Sequence, residues 1–347
     1  MRLLTSIARH FIVFSTVLYS AGLIIFLVSS TSLADRWWIA LAANFTPVYF
    51  LPLLVALPLM LILRARLALV LSLILTLYAL TQYGPYFLTQ VTRPQPDWTT
   101  LRVITYNLSE RSTSPEDATR WLREQNADLV LLQEILPSRA LLQGAVDIFP
   151  ELNDLYPYRV GSILATEGSG AAILSRFPLR APYVGASFVR SAVVVGSQPV
   201  AVYNVSLPAP LRARPRQPIY LTNNVVNALW DLAWAYDQRL HDQEMSALLQ
   251  QIAAEPFPAI VGGDFNMSEY TPGYRQWPSR LGDSFRAVGN GFGWTWPAGK
   301  WPPAPILVRL DYIWHSPIFQ PLKAEVGPFL GSDHLPVLAE FQVQPPM

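Results

Sequence analysis

The sequence predicts an α+β sandwich domain carried by an N-terminal membrane anchor. Three observations predict it: long runs without charged residues near the N-terminus, many strand patterns with few long helices after them, and no regular strand–helix alternation. The 347-residue chain is 51% hydrophobic and 14% charged, against roughly 25% charged residues in a typical soluble domain. High apolar content and the absence of cysteine exclude a disordered chain and a disulfide-stapled mini-protein.

The first 90 residues contain three segments that are apolar enough to cross a membrane. Each charge-free run exceeds the about 20 residues that a transmembrane helix needs. The runs predict transmembrane helices at about residues 11–31, 38–63 and 67–88. Pro47, Pro52 and Pro58 interrupt the second run, and a membrane helix tolerates proline where neighbouring groups satisfy the freed carbonyls.

The distribution of arginines predicts the orientation of this anchor. Arg2 and Arg9 precede the first run, and Arg64 and Arg66 lie between the second and third. The positive-inside rule then places the N-terminus in the cytoplasm and everything after about residue 90 on the extracytoplasmic side, in a cell membrane expected to be a bacterial inner membrane. A cleaved signal peptide ending near Ser32-Leu33-Ala34 is the alternative, and it also exports the domain.

A polar, proline-bearing linker over residues 91–100 separates the anchor from a domain over residues 101–343. Acidic residues outnumber basic ones after residue 93, a balance less typical of general nucleic-acid binders.

The domain begins with an apolar strand pattern at Leu101–Tyr106, followed by a helix. Ser114 is its expected N-cap, Pro115 its first residue, and the helix ends near Asn126. Further strands are expected at residues 128–134, 171–174, 191–195, 199–205, 259–262, 309–314 and 335–341. A long helix is expected from about Asn223 to Ala254, with His241 on its solvated face.

Polar side chains cluster at the ends of these predicted strands. Asn107 and Glu134 end two of them and supply oxygen ligands of the type that Mg²⁺ prefers. Asp264 follows a glycine pair, Asp311 lies in a strand, and His334 follows Asp333 near the C-terminus. Taken singly, each of these residues is as typical of a turn or a loop start as of a functional site.

As an ordered set, these motifs resemble the endonuclease/exonuclease/phosphatase superfamily over about residues 100–343. The resemblance rests on TYN (105–107), LLQE (131–134), GAAILSRFPL (170–179), GGDFN (262–266), TWP (295–297), RLDYI (309–313) and GSDHLPV (331–337). It implies a four-layer α/β/β/α sandwich with mixed sheets. It also implies a metal-dependent phosphoesterase that hydrolyses phosphodiester or phosphomonoester bonds by in-line attack of an activated water.

The resemblance implies metal ligands at Asn107 and Glu134, holding Mg²⁺ or Mn²⁺, with Asp333 supporting the metal or water network.

It also implies four catalytic residues. Asp264 would orient and deprotonate the attacking water, and Asn266 would bind the phosphate. His334 would contact the scissile phosphate, with Asp311 as its carboxylate partner. A neighbouring carboxylate would raise the pKa of His334 and keep it protonated near neutrality.

The sequence departs from the family pattern at Ser206, where many members have histidine. Serine donates one neutral hydrogen bond and cannot act as a cationic acid. Asn204 would partly substitute for the missing side chain. The alternative function is a catalytically weak binding protein that keeps the fold.

Residues 208–240 replace a short family connection and carry Trp230, Trp234 and Tyr236. These rings either pack on the sandwich or form a lip that rests on the membrane and admits a lipid headgroup. The substrate is accordingly a lipid phosphate or a nucleic acid, and the sequence indicates no protein partner.

Overall fold

The computed structural model describes most of the chain, in two compact units. The described residues are 2–34, 36–88, 90, 92–109, 115–135, 150–164, 170–210, 235–277, 281–299 and 307–345. The first unit comprises Met1–Leu88 with Tyr270–Pro272, and the second comprises Thr89–Glu269 with Gly273–Met347. Trp230 and Trp234 of the predicted aromatic lip lie outside the described residues.

The first unit is built from apolar helices. They are α1 (Arg2–Ser32), α2 (Trp37–Ala43), α3 (Leu51–Ile62) and α4 (Arg66–Tyr83). Ser6–Ser32 and Arg66–Phe87 are each long and apolar enough to cross a membrane.

The predicted middle span is a broken helix. A 3₁₀ turn at Thr46–Phe50 separates α2 from α3, and the two halves are bent by 72°. Pro47 and Pro52 lie at the first positions of the turn and of α3, where a residue without an N–H group ends the preceding helical ladder. The unit therefore has two candidate spans, or three if the broken pair crosses as one.

The second unit contains two six-stranded sheets. Its strands are β1 (Thr99–Asn107), β2 (Leu129–Ile135), β3 (Tyr158–Ile163), β4 (Gly170–Ser175), β5 (Arg180–Val184), β6 (Phe188–Val195), β7 (Gln198–Ser206), β8 (Ala259–Asp264), β9 (Gly282–Asp283), β10 (Asp311–His315), β11 (Phe319–Val326) and β12 (Val337–Val343). The sheet orders are β11-β12-β1-β2-β4-β3 and β5-β6-β7-β8-β10-β9. The pairs β1–β2 and β7–β8 are parallel and the other described pairs antiparallel, so both sheets are mixed.

The core lies between the sheets, and helices cover their outer faces. Leu131, Val202 and Ile313 belong to the apolar cluster between the two sheets. Helix α5 (Pro115–Gln125) packs on the first sheet, and α6 (Arg239–Ala253) packs on the second. A short helix, α7 (Ser284–Val288), follows β9. The predicted four-layer α/β/β/α sandwich is confirmed.

The predicted long helix from Asn223 to Ala254 is interrupted before Arg239, and residues 223–234 of it lie outside the described residues. Helix α6 begins at Arg239, and Tyr236, Asp237 and Gln238 before it are not helical. The ring of Tyr236 is buried, as expected if it packs on the sandwich.

The strand directions bring the ends of β1, β2, β7 and β8 to one edge of the sandwich. Asp311, the first residue of β10, lies opposite Asp264, the last of β8. Gly263 has φ +151°, and a Cβ atom there would lie 1.9 Å from the carbonyl oxygen of Val205. Only glycine allows β7 and β8 to approach so closely just before Asp264.

Candidate active site

Three of the predicted site residues meet at the ends of β1, β2 and β8. The Nδ2 group of Asn107 donates to Glu134 Oε1 at 2.8 Å and to Asp264 Oδ2 at 3.0 Å. Asn107 and Asp264 are fully buried, and Glu134 is half-buried. One amide therefore holds two carboxylates from two different sheets side by side.

The backbone around Asn107 and Glu134 fixes both side chains. The N–H of Ser109 donates to Asn107 Oδ1 at 2.8 Å, so the amide nitrogen faces the carboxylates. Glu134 has φ +49° and lies where the pairing of β2 with β4 shifts register. This bulge turns the Glu134 carboxylate to the same edge as Asp264.

The second half of the site is an aspartate–histidine pair. His334 Nδ1 lies 2.9 Å from Asp311 Oδ2, and both side chains are buried. His334 Nε2 lies 3.9 Å from Asp264 Oδ2, too far for a hydrogen bond. An oxygen atom that contacts both His334 Nε2 and Asp264 Oδ2 would therefore lie beside the line that joins them, not between them.

Burial and neighbouring charges raise the pKa values of both Asp264 and His334. Burial raises the pKa of Asp264, and the Asp311 and Glu134 carboxylates raise it further against the opposing effect of His334. Burial alone would lower the pKa of His334, but Asp311 and Asp264 outweigh it and raise that pKa well above the usual histidine value. The direction of this shift favours the protonated form of the His334 imidazole.

The remaining two predicted site residues lie beside this cluster. Asn266 Nδ2 donates to Asp264 Oδ2 at 3.0 Å and to the carbonyl of Leu207 at 2.9 Å. The carboxylate of Asp333 accepts from the Trp296 indole at 3.3 Å and contributes to the raised pKa of His334. All seven predicted residues thus lie at one edge, with Asp333 at its border.

Two hydroxyl groups that the sequence analysis did not single out fix this arrangement. Ser332 Oγ donates to the carbonyl of Asn107 at 2.7 Å and accepts from the N–H of His334 at 3.0 Å. Thr295 Oγ1 accepts from the N–H of Asp311 at 3.3 Å. Thr295 lies in the motif TWP and Ser332 in GSDHLPV, and these positions were the sequence signal that could have identified them.

The predicted substitution of Asn204 for the missing histidine is wrong. Asn204 is fully buried, and its Nδ2 donates to the carbonyls of Leu132 and Ala172 at 2.8 and 2.9 Å. Its Oδ1 accepts from Gln133 Nε2 at 2.6 Å. Because its polar atoms are used between the sheets, Asn204 supports the β2 bulge rather than a substrate.

The donor chemistry of the site fits a divalent cation. Carboxylate and amide oxygens are the ligands that hard cations prefer. The buried Oδ1 of Asp311 has no hydrogen-bond partner among the described residues. Ligand atoms of Asp264, Asp311 and His334 lie within 4.8 Å of one another, a group that could bind a metal ion.

The sequence comparison identifies the family to which this sandwich fold belongs. The profile described as the Endonuclease/Exonuclease/phosphatase family matches residues 104–334. The chain belongs to this family. Members of the family are metal-dependent hydrolases of phosphoester bonds, acting on substrates such as nucleic acids.

Solved structures show the same fold at low sequence identity. Family proteins from Bacteroides vulgatus (15% identity, TM-score 0.50), Leptotrichia buccalis (15%, 0.50) and Bacteroides thetaiotaomicron (14%, 0.50) each align with 70–72% of this chain and with 99–100% of their own chains. No curated protein matches the chain.

Proposed function

We propose that this protein is a membrane-anchored phosphoesterase that hydrolyses phosphodiester or phosphomonoester bonds with a bound divalent cation, normally Mg²⁺. The observation that carries the proposal is a cluster of side chains in two parts. Hydrogen bonds join Glu134, Asn107 and Asp264, and the His334–Asp311 pair lies 3.9 Å from Asp264. In this proposal the carboxylate base and the imidazolium lie side by side, and one phosphate or water oxygen beside them contacts both.

Glu134 and Asn107 are the proposed ligands of the cation, with Asp333 supporting the surrounding water network. Because Nδ2 of Asn107 faces Glu134 and Oδ1 accepts from Ser109, binding of a cation by Oδ1 requires the amide to rotate. His334 is not a proposed ligand, because a doubly protonated imidazole has no lone pair to offer. When bound, a divalent cation polarises the phosphoryl group and stabilises the charge that develops on its oxygens.

Asp264 is the proposed base. Asn107 and Asn266 donate to its Oδ2, and the Asn266 N–H donates to its Oδ1 at 2.9 Å, so the carboxylate is held in one orientation. A water within reach of Asp264 loses its proton to this carboxylate as its oxygen bonds to phosphorus. The ester P–O bond opposite the attacking oxygen breaks, and the leaving oxygen takes a proton from solvent.

His334 and Asn266 are the proposed phosphate contacts. The imidazolium of His334 donates from Nε2 to a phosphoryl oxygen, and Asp311 holds the ring and its charge. Asn266 Nδ2 donates to Asp264 Oδ2 and to the carbonyl of Leu207, so its proposed contact with phosphate requires the exchange of one of these bonds.

The proposed setting of this reaction is the extracytoplasmic side of a cell membrane. The two apolar helices Ser6–Ser32 and Arg66–Phe87 support anchoring, and the arginines around them support an N-terminus in the cytoplasm. A phospholipid or another lipid-linked phosphate and an extracellular nucleic acid remain the two proposed substrate classes.

Hydrolysis by the full-length protein in detergent tests this function. We would compare bis-p-nitrophenyl phosphate, plasmid DNA and phospholipid vesicles, each with Mg²⁺ and with EDTA. The proposal predicts turnover that EDTA abolishes and that His334→Ala reduces strongly, while Glu325→Gln in an exposed ion pair leaves it unchanged. No cation-dependent turnover from folded protein would favour the binding-protein alternative, with Ser206 as the first residue to restore to histidine.

A further inference from the structure

We infer that His241 is a positioning residue for the catalytic carboxylate, acting through the peptide bond between Phe265 and Asn266. His241 was expected to face solvent, but its side chain is 3% exposed on the inner face of α6. The inference rests on the proposed function, since it concerns how Asp264 is held.

His241 reaches the turn that follows β8. Its Nε2 donates to the carbonyl oxygen of Phe265 at 2.9 Å in a buried hydrogen bond. Its Nδ1 lies 3.1 Å from the Asp242 carboxylate, which is itself largely exposed. The ring is therefore fixed by the buried bond to Phe265 more than by its neighbour on the helix.

The Phe265 carbonyl lies where the regular ladder of the sheet has ended. The N–H of Phe265 donates to the carbonyl of Leu310 at 2.9 Å, and the carbonyl of Asp264 accepts from the N–H of Leu207 at 3.0 Å. The next carbonyl in the chain takes its hydrogen bond from a side chain on α6 instead of a strand. A buried carbonyl without a donor is unfavourable, so His241 completes the pairing of this turn.

The same peptide plane holds Asp264. The carbonyl of Phe265 and the N–H of Asn266 belong to one planar peptide group and point in opposite directions. That N–H donates to Asp264 Oδ1 at 2.9 Å. Rotating the plane to release His241 would therefore also withdraw the N–H from the carboxylate that we propose as the base.

The conformation of the turn gives His241 this role. Asn266 has φ +46°, in the left-handed region that residues with a side chain rarely adopt. The Phe265 ring is buried edge-on against Trp277 and Tyr312 at centroid distances of 4.9 and 5.5 Å. The packed Phe265 ring and the hydrogen bond from His241 together hold the peptide group between Phe265 and Asn266 in one orientation.

The test compares His241→Leu with His241→Gln in the full-length protein. Leucine fills the space without a donor, whereas the glutamine amide N–H reaches as far as imidazole Nε2 and restores one donor. His315→Leu is the matched control, because His315 is a second buried histidine of the domain, on β10 at the end remote from Asp311.

Two readouts separate this role from simple packing. We expect His241→Leu to lower kcat by about 10- to 100-fold with little change in KM, as other groups that orient a catalytic side chain do. His241→Gln should recover most of that loss. Independently of activity, hydrogen–deuterium exchange at the Asn266 amide should be faster in His241→Leu than in the wild type, in His241→Gln or in His315→Leu.

The inference is overturned if His241→Leu leaves both kcat and exchange at Asn266 unchanged, or if His241→Gln loses as much as His241→Leu. If the wild type hydrolyses none of the tested phosphoesters, the proposed function fails, while the exchange comparison still decides whether His241 fixes the turn.

Discussion

Two clusters of buried charges lie in the same sandwich, and they are balanced in opposite ways. The paired cluster consists of Arg309, Arg286, Asp283 and Glu269, with guanidinium–carboxylate distances of 2.6 to 2.9 Å. The open cluster consists of Glu134, Asp264 and Asp311 with His334, which pairs with Asp311 and lies 3.9 Å from Asp264. The first has as many cations as anions, and the second has an excess of carboxylates.

The pKa values of two buried aspartates reflect this difference. Burial would raise the pKa of Asp283, but Arg309 outweighs burial and lowers it. Burial raises the pKa of Asp264, and the neighbouring carboxylates add to that rise. Arg309 also stacks over the Tyr312 ring at 4.4 Å, so the paired cluster is packed as well as neutralised.

The difference indicates that the paired cluster supports the fold and the open cluster supports chemistry. A buried carboxylate that no cation neutralises is costly, and proteins retain such groups where a ligand or metal ion supplies the missing charge. The two clusters are adjacent along the chain, since Arg309 lies two residues before Asp311, the first residue of β10.

The largest effect is expected from Asp264→Ala. Removing the proposed base should lower kcat by about 10³-fold, since a positioned acid or base contributes about 10² to 10⁴. The melting temperature should stay the same or rise, because one of several mutually repelling carboxylates is gone. Initial-rate kinetics and thermal unfolding measure the two effects. Asp154→Ala, in an exposed ion pair with Arg123, is the control and should change neither.

Arg309→Met, in the paired cluster, is expected to reduce stability. Removing one partner of a buried ion pair leaves uncompensated carboxylates, so the free energy of unfolding should fall by about 3 kcal/mol or more. Urea denaturation of the full-length protein measures it. A variant as stable as the wild type would show that the paired cluster is not what holds this part of the fold.

A smaller effect is expected from pH. Because the folded-state pKa of Asp283 is lowered, its contribution to stability is present above the ordinary aspartate pKa of about 3.9 and is lost as the pH falls through the folded value. Unfolding free energies between pH 5 and pH 3, measured by urea denaturation, should therefore fall more steeply for the wild type than for Asp283→Asn. Equal slopes would contradict the assignment, and Glu325→Gln should keep the wild-type slope.

The sequence predicted the centre of the fold better than its margins. All eight strands expected from apolar patterns are present, and the four that were missed, β3, β5, β9 and β11, are the edge strands of the two sheets. Edge strands are buried on fewer sides and need no apolar run; every residue of β5 is exposed. The apolar pattern was therefore informative only where a strand is covered on both faces.

Within the site, the motif residues could be predicted from the sequence, but the residues that hold them in place could not. Asn107, Glu134 and Asp264 lie at the ends of strands, Asp311 begins β10, and His334 lies shortly before β12, so the motif residues come together at one edge. The roles of His241 and Asn204 depend on contacts with residues far away in the sequence. A signal for His241 did exist, since His241, Met245 and Leu248 recur at helical spacing on one buried face.

The central claim, that the open cluster holds a divalent cation, is tested most directly by calorimetric titration of the full-length protein with Mg²⁺ and Mn²⁺. We predict one cation site per chain in the wild type, weakened strongly in Glu134→Gln and unchanged in Glu325→Gln. Absence of binding to the folded wild type, or equal binding by Glu134→Gln, would contradict the account.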